Sequence, residues 1–166
     1  MTVWVSEILG EDHDLSGFDS GRPRLDHWLR TQAHRAARSG TARIHVWVEP
    51  GGSEVVAYYA LAPTEVRRQD LPRAMTGGVS VIPSYLLARL ALDRRLQGQR
   101  LGSQLLVDAL EVVVAAAELA AGRLVVVDAI DEAAAAFYRH HDFTPVQGMP
   151  GRLVMKISTA RAALGR

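Results

Sequence analysis

The run Leu90-Ala91-Leu92-Asp93-Arg94-Arg95-Leu96-Gln97-Gly98-Gln99-Arg100-Leu101-Gly102-Ser103 decides how this chain is read. It leaves an apolar strand, placed over Tyr85 to Leu92, crosses a polar loop and enters the strongest helical pattern in the sequence. From Gly102 to Ala121, residues Leu105, Leu106, Ala109, Leu110, Val113, Ala116 and Ala117 share one face, with Gln104, Asp108, Glu111 and Glu118 opposite. The first N–H groups of a helix lack intrahelical acceptors and sit at the positive end of its dipole, so they attract anions. Gly98 and Gly102 permit close backbone approach, and Arg94, Arg95 and Arg100 add positive charge. The spacing fits neither a Walker loop, which ends in Gly-Lys-Ser or Gly-Lys-Thr, nor a GxGxxG turn. Local physics leaves two readings open: a diphosphate seat and an ordinary glycine-containing connection.

Downstream, Gly122 is a natural left-handed stop, and Leu124 to Val127 reads as a buried strand, paired parallel in a sheet covered by helices. Asp131 then caps a helix through about His141, and Phe143-Thr144 and Leu153 to Ile157 close the sheet around the turn Gly148 to Gly151. Upstream, Val3 to Leu9 alternates as a short strand. Asp19-Ser20-Gly21-Arg22-Pro23 opens a helix whose Leu25, Trp28, Leu29 and Ala33 face inward, and which ends near Ser39-Gly40. Its other face carries Arg30, Arg35 and Arg38. Ile44 to Val48 and Val55 to Leu61 form a hairpin, while Pro63 to Ser80 reads as an irregular or helical connection.

With 166 residues, 48% apolar and 22% charged, one compact domain over 1–166 is expected. No apolar stretch approaches the roughly 18 residues of a spanning helix. Met1 to Glu7 lacks a basic, apolar, cleavable signal, so a soluble cytoplasmic protein without membrane association is expected. The absence of cysteine excludes disulfides, thiolate zinc sites and cysteine nucleophiles, and the six histidines show no ligand-like spacing, so no metal is expected. Net charge is only +1, yet six arginines lie between Arg22 and Arg43 with Asp26 as the sole acid there. That is a local cationic face, suited to phosphate or simply to solvent.

Leu90 to Gly102 resembles the acetyl-coenzyme A signature of GNAT N-acetyltransferases, whose loop runs Gln/Arg-x-x-Gly-x-Gly/Ala. Gln97 and Gly102 match its ends, and Arg100 stands at its middle glycine. Asp131 to Phe143 is similar to the family's Asn-x-x-Ala-x-x-Phe-Tyr-x-x-x-Gly-Phe, with Asp131 for asparagine and Asp142 for glycine. Phe18 to Leu29, Tyr58 to Leu61 and Leu87 to Asp93 narrow the resemblance to the TacT-like toxins of toxin–antitoxin pairs. The resemblance implies a mixed α/β GNAT domain with a mostly antiparallel sheet flanked by helices, and acetyl-coenzyme A as acetyl donor. It further implies transfer to the α-amino group of aminoacyl-tRNA, which stops translation, together with a DNA-binding antitoxin and a homodimer.

The same resemblance places the donor along Leu90, Ala91 and Leu92, against Gln97, Gly98, Gln99, Arg100, Leu101, Gly102 and Ser103, and near Asp131. A gap between Leu90–Leu92 and Val125–Val127 would admit the thioester. Tyr138 becomes the general acid for the departing thiolate; read alone, Phe137-Tyr138 is a packing pair. His45, His140 and His141 are weaker base candidates. Arg30, Arg35, Arg38 and Arg89 are the candidates for RNA, and Arg89, a charge in an apolar strand, needs a partner or an opening. Two alternatives stay open: a GNAT enzyme for a small-molecule or protein amine, and a noncatalytic acyl-coenzyme A-binding module.

Overall fold

A computed structural model describes residues 3–166 of the chain; Met1 and Thr2, which head the segment read for a signal, lie outside the described residues. The elements are, in order, β1 (Val5–Ile8), α1 (Pro23–Thr31), α2 (Ala33–Ser39), β2 (Arg43–Val48), β3 (Ala57–Arg67), α3 (Arg73–Thr76) and β4 (Val81–Leu92). They continue with α4 (Leu101–Ala120), β5 (Leu124–Asp128), α5 (Glu132–His140), β6 (Thr144–Pro145), β7 (Arg152–Lys156) and α6 (Ile157–Ala163). The strands form one mixed sheet in the order β1-β2-β3-β4-β5-β7-β6. β1 with β2, β2 with β3, β5 with β7 and β6 with β7 run antiparallel, and β4 with β5 runs parallel. Among the described residues no helix is long and apolar enough to cross a membrane.

By contact density the chain divides into two compact units, one containing the residues through Ala62 and Arg89–Ala109, the other Pro63–Ala88 and Leu110–Arg166. The core of the first gathers Phe18, Leu25, Leu29 and Ala33 against Ile44, Val46, Tyr58 and Ala91. Pro23 opens α1 where a missing N–H costs nothing. At Gln32 the chain leaves helical angles, with φ −122°, so the single helix expected over this stretch is two. Leu29 and Ala33 reach the core from different helices, and α2 stops at Gly40, left-handed with φ 73°.

The second unit buries Val66, Ile82, Leu124, Val126, Val146 and Val154 together. Here β3 runs on through Pro63 to Arg67, and β4 starts at Val81, four residues before the expected Tyr85. The Pro63 to Ser80 connection therefore begins as strand, through Arg67, and then holds the short helix α3, because one proline need not end a strand where its missing N–H is unneeded. Both residues after α4 take positive φ, Ala121 at 64° and Gly122 at 135°. A Cβ on Gly122 would stand 2.5 Å from the Tyr85 ring, so glycine is demanded there by close approach. The last strand ends at Lys156, and Ile157 opens a helix that the apolar run Leu153 to Ile157 did not announce.

Candidate acyl-transfer site

Asp93 organises the loop that enters α4. It is buried, caps a short 3₁₀ turn by accepting the Arg95 N–H, and also accepts the Asp19 N–H at 3.1 Å and Arg95 Nε at 3.0 Å. Burial by itself would raise the carboxyl's pKa; the Arg95 side-chain and backbone donors, the Asp19 N–H and the Arg95 charge reverse this and hold it below the usual range. Gln97 donates its amide to both the Ser20 and the Leu92 carbonyls at 2.8 Å, and Gln99 donates to Arg95 at 3.2 Å. The Gln97 side chain is thus a brace for the loop.

The three loop arginines divide. Arg94 pairs with Asp19 at 3.2 Å, and Arg95 pairs with Asp93 and, at 2.7 Å, with Glu54. Arg100 has no polar partner among the described residues, and it takes the left-handed conformation, φ 61°, that a glycine at this position would supply. Asp142 does likewise at the other departure from the GNAT pattern, with φ 70°. Gly98, φ 81°, has open space where a Cβ would be. Leu101, Gly102 and Ser103 form the first turn of α4, which contains no acidic residue. A helix start without acidic residues, an uncommitted Arg100 guanidinium and room beside Gly98 suit a diphosphate.

The parallel ladder of β4 with β5 ends at Leu87 and Val127. Val125 to Val127 lie opposite Tyr85 to Leu87. β4 continues through Leu90, Ala91 and Leu92 beyond the end of that ladder, the place where an extended ligand could pair with its backbone.

Arg30 does not project freely from the helix: its Nη1 donates to the Phe18 carbonyl at 2.9 Å, which ties α1 to its own entry loop. Arg35 is exposed with no polar partner among the described residues, and Arg38 is exposed and 3.5 Å from Glu11. Asp26, counted in the sequence as an acid within the cationic stretch, is buried and receives both the N–H and the hydroxyl of Ser20. Arg89 lies over Trp28, its Cζ 4.5 Å from the ring centroid.

Asp108, expected on the solvent face of α4, is half-buried and accepts Trp47 Nε1 at 3.2 Å and the Tyr59 hydroxyl at 3.1 Å. His45 stacks on Tyr59 at 4.9 Å; burial lowers its pKa against the opposing pull of Asp108, so it is held neutral. The hubs Asp93 and Asp108 were invisible to helical periodicity. The Asp-x-Arg step before a helix start was the available signal for the first; for the second there was none.

In the other unit Asp131 caps α5, accepting the Ala134 N–H at 2.8 Å as expected. Tyr138 is 7% exposed, with Phe137 and Phe143 packed edge-on at 5.4 and 5.3 Å. The packing role and a catalytic role are compatible, since a phenol's ring and hydroxyl serve separately. His140 is exposed; burial, then the neighbouring His140 charge, lowers the pKa of His141. Among the described residues no group of three His, Asp or Glu side chains could hold a metal ion.

No protein-family model matches the chain. A tRNA-acetylating toxin of Mycobacterium tuberculosis is 38% identical over 158 residues, which cover 95% of this chain and 94% of the relative. The chain belongs to the GNAT toxins of this tRNA-acetylating family. Solved structures of such toxins superpose along the whole length. AtaT complexed with acetyl-methionyl-tRNAfMet is 30% identical, with a TM-score of 0.89 over 98% of this chain and 99% of that one. A mutant AtaT bound to acetyl-CoA and to the C-terminus of the antitoxin AtaR is 29% identical, with a TM-score of 0.86 over the same shares. The GNAT toxin fold, mixed α/β with a mostly antiparallel sheet, is that expected from the sequence.

Proposed function

We propose that this GNAT toxin transfers the acetyl group of acetyl-CoA to the α-amino group of aminoacyl-tRNA and so blocks translation. The match along nearly the whole chain to a tRNA-acetylating toxin carries this reading. The loop into α4, with Gly98, the free Arg100 and the amides of Leu101, Gly102 and Ser103, supports it as the seat of the donor's diphosphate.

Acetyl-CoA supplies an activated thioester. The chain holds it by the amides and Arg100 at one end and by the β4 stretch Leu90 to Leu92 along its arm. A fixed backbone N–H there stabilises the oxyanion as the amine adds to the carbonyl, because it need not reorganise as charge forms. Tyr138 gives its phenolic proton to the departing thiolate, and the proton shed by the nitrogen as it becomes an amide passes through solvent to restore the phenol. The acceptor needs little base assistance, since an α-amine titrates near about 8, against about 10.4 for lysine. Arg35 and Arg38 meet the RNA, and Asp131 lies near the donor. The chain works in the cytoplasm as a homodimer, with a DNA-binding antitoxin as its partner.

Incubation with labelled acetyl-CoA and either charged or uncharged tRNA tests this. Label is expected on charged tRNA alone. Label only on another amine, or on none despite donor binding, overturns it.

A further inference from the structure

Arg89 interrupts the apolar run Leu86-Leu87-Ala88-Arg89-Leu90-Ala91-Leu92, and among the described residues no carboxylate answers it. Its Nε is closed off from solvent and has no hydrogen-bond partner. Burial lowers its pKa; Tyr58 works against that and the charge of Arg24 adds to it. The guanidinium rests 4.5 Å from the centroid of Trp28. Trp28 is itself held parallel to Tyr58 at 6.0 Å, and Tyr58 is fixed by its hydroxyl on the Leu25 carbonyl at 2.7 Å and by the edge of Phe18 at 5.6 Å.

Arg24 lies one helical turn before Trp28 on α1, so both project from one face of that helix. It too has no polar partner among the described residues. The nearby acid of α1, Asp26, is consumed by Ser20. The Arg89 guanidinium therefore rests on an aromatic column, with Arg24 near enough for its charge to oppose that of Arg89 and, among the described residues, no carboxylate paired with either. Folding does not favour this: a half-buried unpaired cation is costly, and a second like charge adds to the cost. A leucine or methionine at position 89 would fill the strand more cheaply. What the column does provide is orientation, because stacking fixes the plane of the fork before a ligand arrives. Two forks without an acid between them match the tetrahedral oxygens of a phosphate.

We propose that Arg89, braced on Trp28, and the neighbouring Arg24 form a receptor for one phosphodiester in the single-stranded 3′ end of the RNA acceptor. The proposal deepens the aminoacyl-tRNA reading and rests on it. Arg89 immediately precedes Leu90 to Leu92, the stretch assigned to the donor's arm, so a phosphate gripped here belongs to the portion of the acceptor beside the reacting amine. Arg35 and Arg38, on a different helix, would meet RNA further along.

The test compares wild type, Arg89→Gln and Arg24→Gln by fluorescence anisotropy. The probes are an acceptor-stem minihelix ending in single-stranded CCA, and the same minihelix with neutral methylphosphonates in place of the CCA phosphodiesters. Each substitution should weaken binding of the native minihelix about 10-fold and reduce its salt dependence, as expected for one lost charge-assisted contact. Wild type should bind the neutral minihelix as weakly as the variants bind the native one, with no further loss on substitution. Acetyl-CoA affinity by calorimetry should stay at the wild-type value, and the melting temperature should not fall below it.

Equal losses on both minihelices would assign the arginines to folding or stacking and overturn the proposal. Weakened acetyl-CoA binding would give the phosphate to the donor, and unchanged RNA binding would remove the receptor altogether. Because binding is read without turnover, a wild type that discriminates the two minihelices yet labels no charged tRNA would sink the functional reading and leave the receptor standing.

Discussion

The Asp93 carboxylate accepts the backbone N–H of Asp19 at 3.1 Å across 74 residues of sequence. Arg94 N–H returns the connection to the Asp19 carbonyl at 2.9 Å, and Gln97 adds a bond to Ser20. The loop that leads into α4 and the loop that leads into α1 are thereby one hydrogen-bonded piece, and the residues assigned to donor and acceptor grow from its two ends.

Replacing Asp93 by asparagine should destabilise the protein by about 2 kcal/mol, since a buried acceptor of charged and backbone donors is lost. The effect has a pH signature. The folded pKa lies below the unfolded value of about 3.9, so the wild-type contribution is complete above that value and disappears as pH falls through the lowered one. Urea unfolding from neutral to acid pH should show the two proteins converging below about pH 4.

His45, kept neutral by burial, gives a second window. Unfolded histidine takes up a proton near about pH 6.5 and the folded ring does so only at lower pH, so stability declines on acidification from that point. His45→Gln should flatten the decline between about pH 6.5 and 5. An unaltered slope in chemical denaturation would show that the ring is not the source.

Tyr138→Phe should lower turnover by about 10²- to 10⁴-fold while leaving acetyl-CoA binding intact, as expected for loss of a proton donor whose ring packing is preserved. Steady-state rates with calorimetry of the donor decide it; wild-type turnover would remove Tyr138 from the role.

Joint replacement of Arg35 and Arg38 by alanine should weaken tRNA binding and flatten its dependence on salt, with acetylation of a small amine preserved. The Glu11 contact of Arg38 is exposed and contributes about 0–1 kcal/mol, so the melting temperature should hardly move.

Gly122→Ala should cost about 2–4 kcal/mol, because its Cβ meets the Tyr85 ring at 2.5 Å and its φ of 135° disfavours a side chain. Thermal melting reads this directly. A stability equal to wild type would mean that the Tyr85 ring, with its 2.7 Å bond to the Ala121 carbonyl, moves aside freely.

Periodicity made α4, β5 and α5 readable, because each has an apolar pattern long enough to fix its type and Asp131 marks where α5 begins. It failed where tertiary contacts decide: the break at Gln32, the strand through Pro63, and the helix begun by Ile157. In the site, the loop was legible from its glycines and from its position before a helix. The duties of its side chains were not. Arg30, Arg94 and Arg95 looked like interchangeable positive charge, and only the fold shows that carbonyls or carboxylates engage all three while Arg100 stays free. Which β4 residues pair with Val125 to Val127 was not legible either, because register is not written in an apolar run such as Leu124 to Val127; the partners are Tyr85 to Leu87.

Arg100 holds a left-handed backbone without being glycine. A side chain there has fewer conformations to give up than glycine would, so the turn is stiffer before anything arrives. Capture of a ligand at this turn then forfeits less chain freedom. The strain is borne during folding, once, instead of at every catalytic cycle.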